Sequence, residues 1–270
     1  MGNIYGLLGE KLGHSLSPSI HKMIFEELKL DASYHLFEVA KTDLKDAMNG
    51  LRALGFKGIN VTIPYKIAVM EYLDEISPEA AKIAAVNTVF FDGGKLKGYN
   101  TDYHGFGMLL RKNEIDTVNR SAVILGSGGS AKAVSQYLAD NGVKEISIVS
   151  RDASKHKNEF AGCKMVSYDE LENLEAKDMI INCTPAGMYP NIDVSPVGKD
   201  IISKFASAVD LTYNPSQTLF LRYARQNGIK AVNGLYMLVG QAVKAQEIWN
   251  GIELSDDAVE KIFIETGKLI

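Results

Sequence analysis

Cysteine, tryptophan and proline are scarce in this chain, at two, one and seven among 270 residues. Cys163 and Cys183 show neither CxxC spacing nor an adjacent histidine, so the pattern of a disulfide framework or thiolate metal site is missing. They read as buried thiols, and no metal is expected. A surplus of one charge is missing too: Lys+Arg 29 against Asp+Glu 33 leaves a formal charge of -4. Without a basic excess or a block of like charges, a nucleic-acid partner is not expected. No apolar stretch reaches the roughly 18 residues of a membrane span, and the N-terminus lacks the basic-then-apolar layout of a secretory leader. A cytoplasmic protein with no membrane partner is the expectation. There is no internal repeat, low-complexity tract or Pro/Gly/Ser-rich linker, so domain boundaries are expected in short ordered connections.

What is present is alternation. A chain of 29.5 kDa is long enough for two domains of ordinary size. Its first hundred residues place short β-branched runs ("IYGLLG", "SYHLFEV", "GINVTIP", "AVNTVFF") between helical segments, which implies βαβ units and a mostly parallel sheet. In "FFDGGKLKGYN" the two glycines after Asp92 read instead as a tight hairpin. The pattern restarts at Ser121 with "SAVILGSGGSAKAVSQYLADNG", a buried strand, a glycine turn and a helix. Further strands follow at "EISIVSR", "DMIINCT" and "SAVDLTY", and the chain ends in two helices with no strand between them, the second capped by Ser255.

Three places carry chemistry. In "GHSLSPSIH", Ser17 followed by Pro18 reads as a helix N-cap with proline at the first helical position, while Ser15 is a spare hydroxyl beside a first turn suited to an anion. In "VILGSGGSAKA", Gly126, Gly128 and Gly129 lie between strand and helix, where glycines let backbone approach a pyrophosphate. The next strand ends in Arg151, whose guanidinium matches a 2′-phosphate, with Lys155 adding charge and Asp152 opposing it unless turned away. Finally, "NVTIPYK" delivers Lys66 and "NTD" delivers Asp102 at strand ends, the edge where open α/β sheets bind ligands. A lysine and aspartate held together there can orient a proton donor.

Taken in order, "HSLSPxxH", "NVTIPYK", "AVNT", "NTD", "LGSGGSAKA", "DLTYNPxxT" and "GLYMLVGQA" resemble the shikimate dehydrogenase family across essentially the whole chain. The resemblance implies a two-domain α/β protein: residues 1–102 plus 236–270 for substrate and catalysis, and a Rossmann-like doubly wound domain at 103–235 for NADP, the last helices returning to the first domain. It implies reversible NADP-linked reduction of 3-dehydroshikimate to shikimate, on the route to aromatic amino acids. By resemblance Lys66 exchanges the proton and Asp102 holds it and bonds substrate. Ser15, Ser17 and Tyr213 match groups that hold the substrate carboxylate, and Thr62, Asn87 and Gln241 match ring-hydroxyl contacts. Gly126, Ser127, Gly128, Gly129 and Ser130 match the pyrophosphate loop; Ser150, Arg151, Asp152 and Lys155 match the 2′-phosphate loop. Leu211, Gly234 and Met237 match positions around the nicotinamide.

The departure is "SRDASK", where the family usually opens Asn-Arg-Thr; Arg151 is kept, Ser150 and Asp152 differ, and NAD stays open beside NADP. Serine at 17, where quinate-preferring relatives tend to carry threonine, favours shikimate. The alternatives are a quinate/shikimate dehydrogenase using NAD and a non-catalytic sensor on the same fold. Monomer and homodimer are both compatible with the sequence.

Overall fold

A computed structural model describes the whole chain except Met1, His14, Lys157 and Ala176, so the first residue of "HSLSPxxH" lies outside the described residues. The chain divides into two compact units, one of residues 1–105 with 239–269 and one of residues 106–238. Both crossings fall inside helices, Thr101–Lys112 and Leu235–Asn250, and not in the short connections expected. Each helix is continuous through its crossing, so no change of composition marks the boundary.

The first unit holds strands β1 (Asn3–Gly9), β2 (Ala32–Glu38), β3 (Gly58–Val61), β4 (Glu75–Ile76), β5 (Thr88–Asp92) and β6 (Lys95–Tyr99). They form one sheet ordered β2-β1-β3-β5-β6-β4, with β1–β2, β1–β3 and β4–β6 parallel and β3–β5 and β5–β6 antiparallel. The antiparallel turn is the Asp92–Lys95 hairpin, where Gly93 and Gly94 take φ of 56° and 88°. Two positive φ values in succession are what a two-residue hairpin needs and what glycine supplies at least cost.

Helices α1 (Ser17–Leu28), α2 (Leu44–Ala53) and α3 (Pro78–Ile83) follow their strands, α4 is Thr101–Lys112, and two apolar clusters cover the sheet. Along β1 the side chains alternate: Tyr5 and Leu7 pack with Phe25 and Trp249, and Leu8 packs with Met48, Leu51 and Ile59. Trp249, fully buried, lies so close over Gly58 that a Cβ there would stand 2.3 Å from the indole. Its Nε1 donates to the Val89 carbonyl at 3.0 Å, which fixes the C-terminal region on this sheet.

The second unit is an all-parallel sheet of β7 (Ser121–Leu125), β8 (Glu145–Val149), β9 (Lys164–Val166), β10 (Lys177–Asn182), β11 (Phe205–Asp210) and β12 (Lys230–Asn233). The order β12-β11-β10-β7-β8-β9 winds outward both ways from β7 and β10. That reversal is the topological switch point of a doubly wound fold. Among its helices are α5 (Gly129–Asp140), α6 (Tyr168–Leu171), α7 (Lys199–Ile202) and α8 (Leu219–Gln226); α9 (Leu235–Asn250) and α10 (Asp256–Gly267) end the chain. Ser255 accepts from the Ala258 N–H, capping α10 as expected.

Candidate active site

In the first unit the C-terminal ends of β1, β3 and β6 and the start of the antiparallel β5 share one edge, and the candidate residues follow or precede them. Thr62 leaves β3 with its N–H on the Leu8 carbonyl (2.9 Å) and its own carbonyl accepting from Tyr65 N–H (2.9 Å). The Lys66 carbonyl then accepts from Val86 N–H at 2.8 Å, pinning the backbone under the lysine. Lys66 Nζ reaches Asp102 Oδ2 at 2.5 Å, with only 14% and 11% of the two side chains exposed. Asp102 stands in the first turn of α4, where the helix dipole favours a carboxylate. Beside it, Asn87 Oδ1 accepts from Thr101 N–H (2.7 Å), Thr88 Oγ1 (3.0 Å) and Thr101 Oγ1 (3.2 Å). With its oxygen committed, the amide NH₂ is what Asn87 offers a ligand.

Ser15 and Ser17 divide their tasks differently from the sequence expectation. The N-cap of α1 is Leu16, in helical conformation and without a side-chain bond, and Ser17 is already inside the helix. Ser15 Oγ accepts from Ser17 N–H at 3.2 Å, a local side-chain turn that relieves Ser17 of capping. The buried Ser17 hydroxyl lies instead against Tyr34. Gln241, half-buried, belongs to the part of α9 within this unit.

In the second unit the candidates also follow strand C-termini. Gly126 takes φ of 105°, and its N–H donates to the Val149 carbonyl at 2.8 Å. Gly128 is the extended N-cap of α5 with no side-chain cap bond, and a Cβ there would meet nothing within 4 Å. Gly129 and Ser130 open the helix, leaving first-turn N–H groups available to an anion. Ser127 Oγ and Ser150 Oγ are 3.3 Å apart, joining the glycine turn to the end of β8, and Ser150 Oγ also accepts from Asp152 N–H (3.3 Å). Asp152 Oδ1 accepts from Ser154 Oγ (2.9 Å) and Lys155 N–H (3.3 Å), bonds that hold its carboxyl below the ordinary carboxylate range. Arg151 and Lys155 are exposed, and among the described residues Arg151 has no ion-pair partner. Lys132 on α5 pairs with Glu159 at 2.7 Å, tying this loop to the helix.

Past β11 and β12 lie Leu211, Gly234 and the buried Met237. Gly234 N–H donates to Thr212 O at 3.1 Å, and a Cβ on it would stand 2.0 Å from the Leu211 carbonyl oxygen. Only glycine allows that approach. Tyr213 is half-buried, and burial raises its hydroxyl above the usual range. No group of His, Cys, Asp and Glu suited to a metal occurs among the described residues. Cys163 and Cys183 are half-exposed as whole residues rather than buried, while burial around the Cys183 thiol raises its pKa.

Residues 7–89 match the family model for the shikimate dehydrogenase substrate binding domain. Shikimate dehydrogenase (NADP(+)) of Clostridium perfringens is 48% identical over 264 residues, 97% of this chain and 97% of that protein. The chain belongs to the shikimate dehydrogenase family. A chorismate mutase/shikimate 5-dehydrogenase fusion protein from Clostridium acetobutylicum superimposes with a TM-score of 0.97 at 52% identity, covering 100% of this chain and 99% of that one. Shikimate 5-dehydrogenase from Thermus thermophilus, solved with NADP(H) and shikimate, gives 0.89 at 33% identity over 98% and 99%.

Within this family framework the structure brings Lys66 to Asp102, Ser15 to Ser17, Ser127 to Ser150, and Gly234 to Leu211. Sequence reasoning missed the groups that brace them. Asn60, buried in β3, donates to Thr88 Oγ1 (3.0 Å) and the Asn87 carbonyl (3.3 Å) and accepts from Tyr34 OH (2.8 Å). An amide inside the buried run "GINV" was the available signal, because a buried polar side chain is costly without partners.

Proposed function

We propose that this protein is an NADP-dependent shikimate dehydrogenase, interconverting 3-dehydroshikimate and shikimate. The observation that carries the reading is Lys66 at 2.5 Å from Asp102, beside an Asn87 amide with its oxygen already committed, at the ligand-binding edge of a sheet. Reduction of a ketone builds negative charge on oxygen. The Lys66 ammonium stabilises that charge and completes the alcohol by passing it a proton, and in the reverse direction it takes the proton back. Asp102 holds the lysine and accepts from a neighbouring hydroxyl. Ser15 and Ser17, with Tyr213, are assigned to the substrate carboxylate, and Thr62, Asn87 and Gln241 to ring hydroxyls. A site built from such groups rejects analogues lacking a hydroxyl, since its own polar groups would go unpaired.

NADP(H), when bound, supplies or accepts the hydride. The residues present fit it: the α5 N-terminus lacks a side-chain cap, and the open side of Gly128 leaves room for a pyrophosphate against the first-turn N–H groups. Arg151 is assigned to the 2′-phosphate, with Lys155 adding charge. Asp152 was the objection, and its engagement with Ser154 and Lys155 N–H supports a carboxylate turned into its own loop. Leu211, Gly234 and Met237 are assigned to the nicotinamide end. The first unit then serves substrate and the second cofactor.

The second reading, an NAD-using quinate/shikimate dehydrogenase, rests on the negative charge of Asp152. Comparing kcat/KM for the four pairings of shikimate or quinate with NADP+ or NAD+ separates the two. Shikimate with NADP+ is expected to be best, and a preference for quinate with NAD+ would sink the proposal.

A further inference from the structure

The fully buried His21, one turn along α1 from Ser17, stacks its ring on Tyr34 at 3.9 Å and 8°. Its tautomer follows from one backbone carbonyl. Asn250 Nδ2 donates to the Gln246 carbonyl oxygen at 3.0 Å, which identifies that atom as the nitrogen. The same nitrogen donates to Gln246 Oε1 (2.9 Å), so Gln246 turns its NH₂ toward His21 Nδ1 (2.8 Å). An amide NH₂ only donates, so Nδ1 accepts and the proton sits on Nε2. Burial keeps the ring neutral, with its pKa pushed down to about 3. Among the described residues Nε2 is buried without a hydrogen-bond partner, although the Asn60 side chain faces the ring. Leaving a buried donor unpaired costs about 1–3 kcal/mol.

We propose that His21, held as the Nε2–H tautomer by Gln246, is a positioning residue for substrate binding. It backs Tyr34 and Asn60, and these in turn set the Ser17 hydroxyl and the Asn87 segment. Tyr34 OH donates to Asn60 Oδ1 while lying against Ser17, and Asn60 spends its NH₂ on Thr88 and the Asn87 carbonyl. The inference rests on reading this edge as the shikimate site.

Two variants test it. His21→Phe keeps the stack on Tyr34 and removes both nitrogens. Gln246→Glu presents an acceptor to Nδ1 and draws a proton there. Each is expected to raise KM for shikimate about fivefold to tenfold, the size of one hydrogen bond, with kcat within about twofold and KM for NADP+ unchanged. Side-chain 15N spectra at neutral pH are expected to show neutral Nε2–H in the wild type and a proton on Nδ1 in Gln246→Glu. Nδ1–H in the wild type overturns the proposal, and that measurement needs no variant to fold. So does a lower melting temperature with wild-type KM, which leaves only a packing role. Active wild-type enzyme with unmoved variants defeats this proposal alone, whereas wild-type enzyme inactive on shikimate defeats it together with the substrate assignment.

Discussion

The candidate residues at the sheet edge that carries Lys66 are polar side chains, whereas several of those assigned to the cofactor in the second unit are glycines that expose backbone. At the first, Asn60, Asn87, Thr88, Thr101 and Asp102 are all buried and all hydrogen-bonded. In the second unit the residues assigned to the cofactor include three glycines: Gly126 with positive φ, Gly128 as the N-cap of α5, and Gly234 against the Leu211 carbonyl. The difference matches the two ligands proposed. A ring bearing several hydroxyls needs directional donors and acceptors, each braced by another polar group. A pyrophosphate asks for N–H groups at a helix start and for no Cβ in the way.

Each unit also buries a titratable group that burial shifts strongly, and the two shifts run in opposite senses. His21, among Gln246, Tyr34, Phe25 and Trp249, is pushed down to about 3 by burial. Asp210, among Asn182, Thr212, Thr218 and Cys183, is pushed up to about 6 by burial against its hydrogen bonds.

The largest test of the contrast is Lys66→Ala. Loss of a side chain doing acid–base work is expected to lower kcat by about 10²–10⁴ with a modest change in KM, read from steady-state rates. A variant turning over near the wild-type rate would remove Lys66 as proton carrier.

Next comes pH. The stability His21 contributes is present above its unfolded pKa of about 6.5 and is lost as pH falls toward 3, because only the unfolded chain takes the proton. Asp210 does the reverse: its contribution is present below about 3.9 and is lost as pH rises through 6, since the unfolded carboxyl ionises first. The swings are on the order of 5 and 3 kcal/mol at about 1.4 kcal/mol per pKa unit. Asp210→Asn is expected to flatten hydrogen-exchange protection of β11 across pH 4–6, and His21→Phe to flatten that of β3 from pH 6.5 downward. Parallel slopes in both strands would contradict the opposition.

Arg151→Ala sharpens the cofactor side. Loss of one charge-assisted contact, about 1.5–3 kcal/mol, is expected to cut kcat/KM for NADP+ about 10–100-fold and leave that for NAD+ nearly unchanged. The smallest effect is that of Gly128→Ala. Its Cβ enters open space at a φ of -81°, so the melting temperature should hold. The Michaelis constant for NADP+ should rise about tenfold, the effect of losing roughly 1.4 kcal/mol of binding. A fall in melting temperature without a change in KM would mean that the turn is structural only.

Much of the local structure was legible because its signals are local. The Gly93–Gly94 hairpin, the Ser255 cap and the glycine turn after β7 each depend on neighbours within a few residues. The N-terminus of α1 shows where that ends: Ser17-Pro18 reads as a cap, yet Leu16 adopts helical angles and Ser15 bonds the Ser17 N–H, placing Ser17 inside the helix.

Residue type and spacing determined which strands and helices form and which side chains emerge at their ends, since periods of 2 and 3.6 residues are set by the chain itself. Only the tertiary structure decided who meets whom. Asp102 reaches Lys66 because β3 and β6 flank the antiparallel β5, and Gln246 reaches His21 across 225 residues because Trp249 seats α9 over Gly58. Neither register nor packing face is written in a local pattern. The groups that brace the site could be named only once the sheet was assembled.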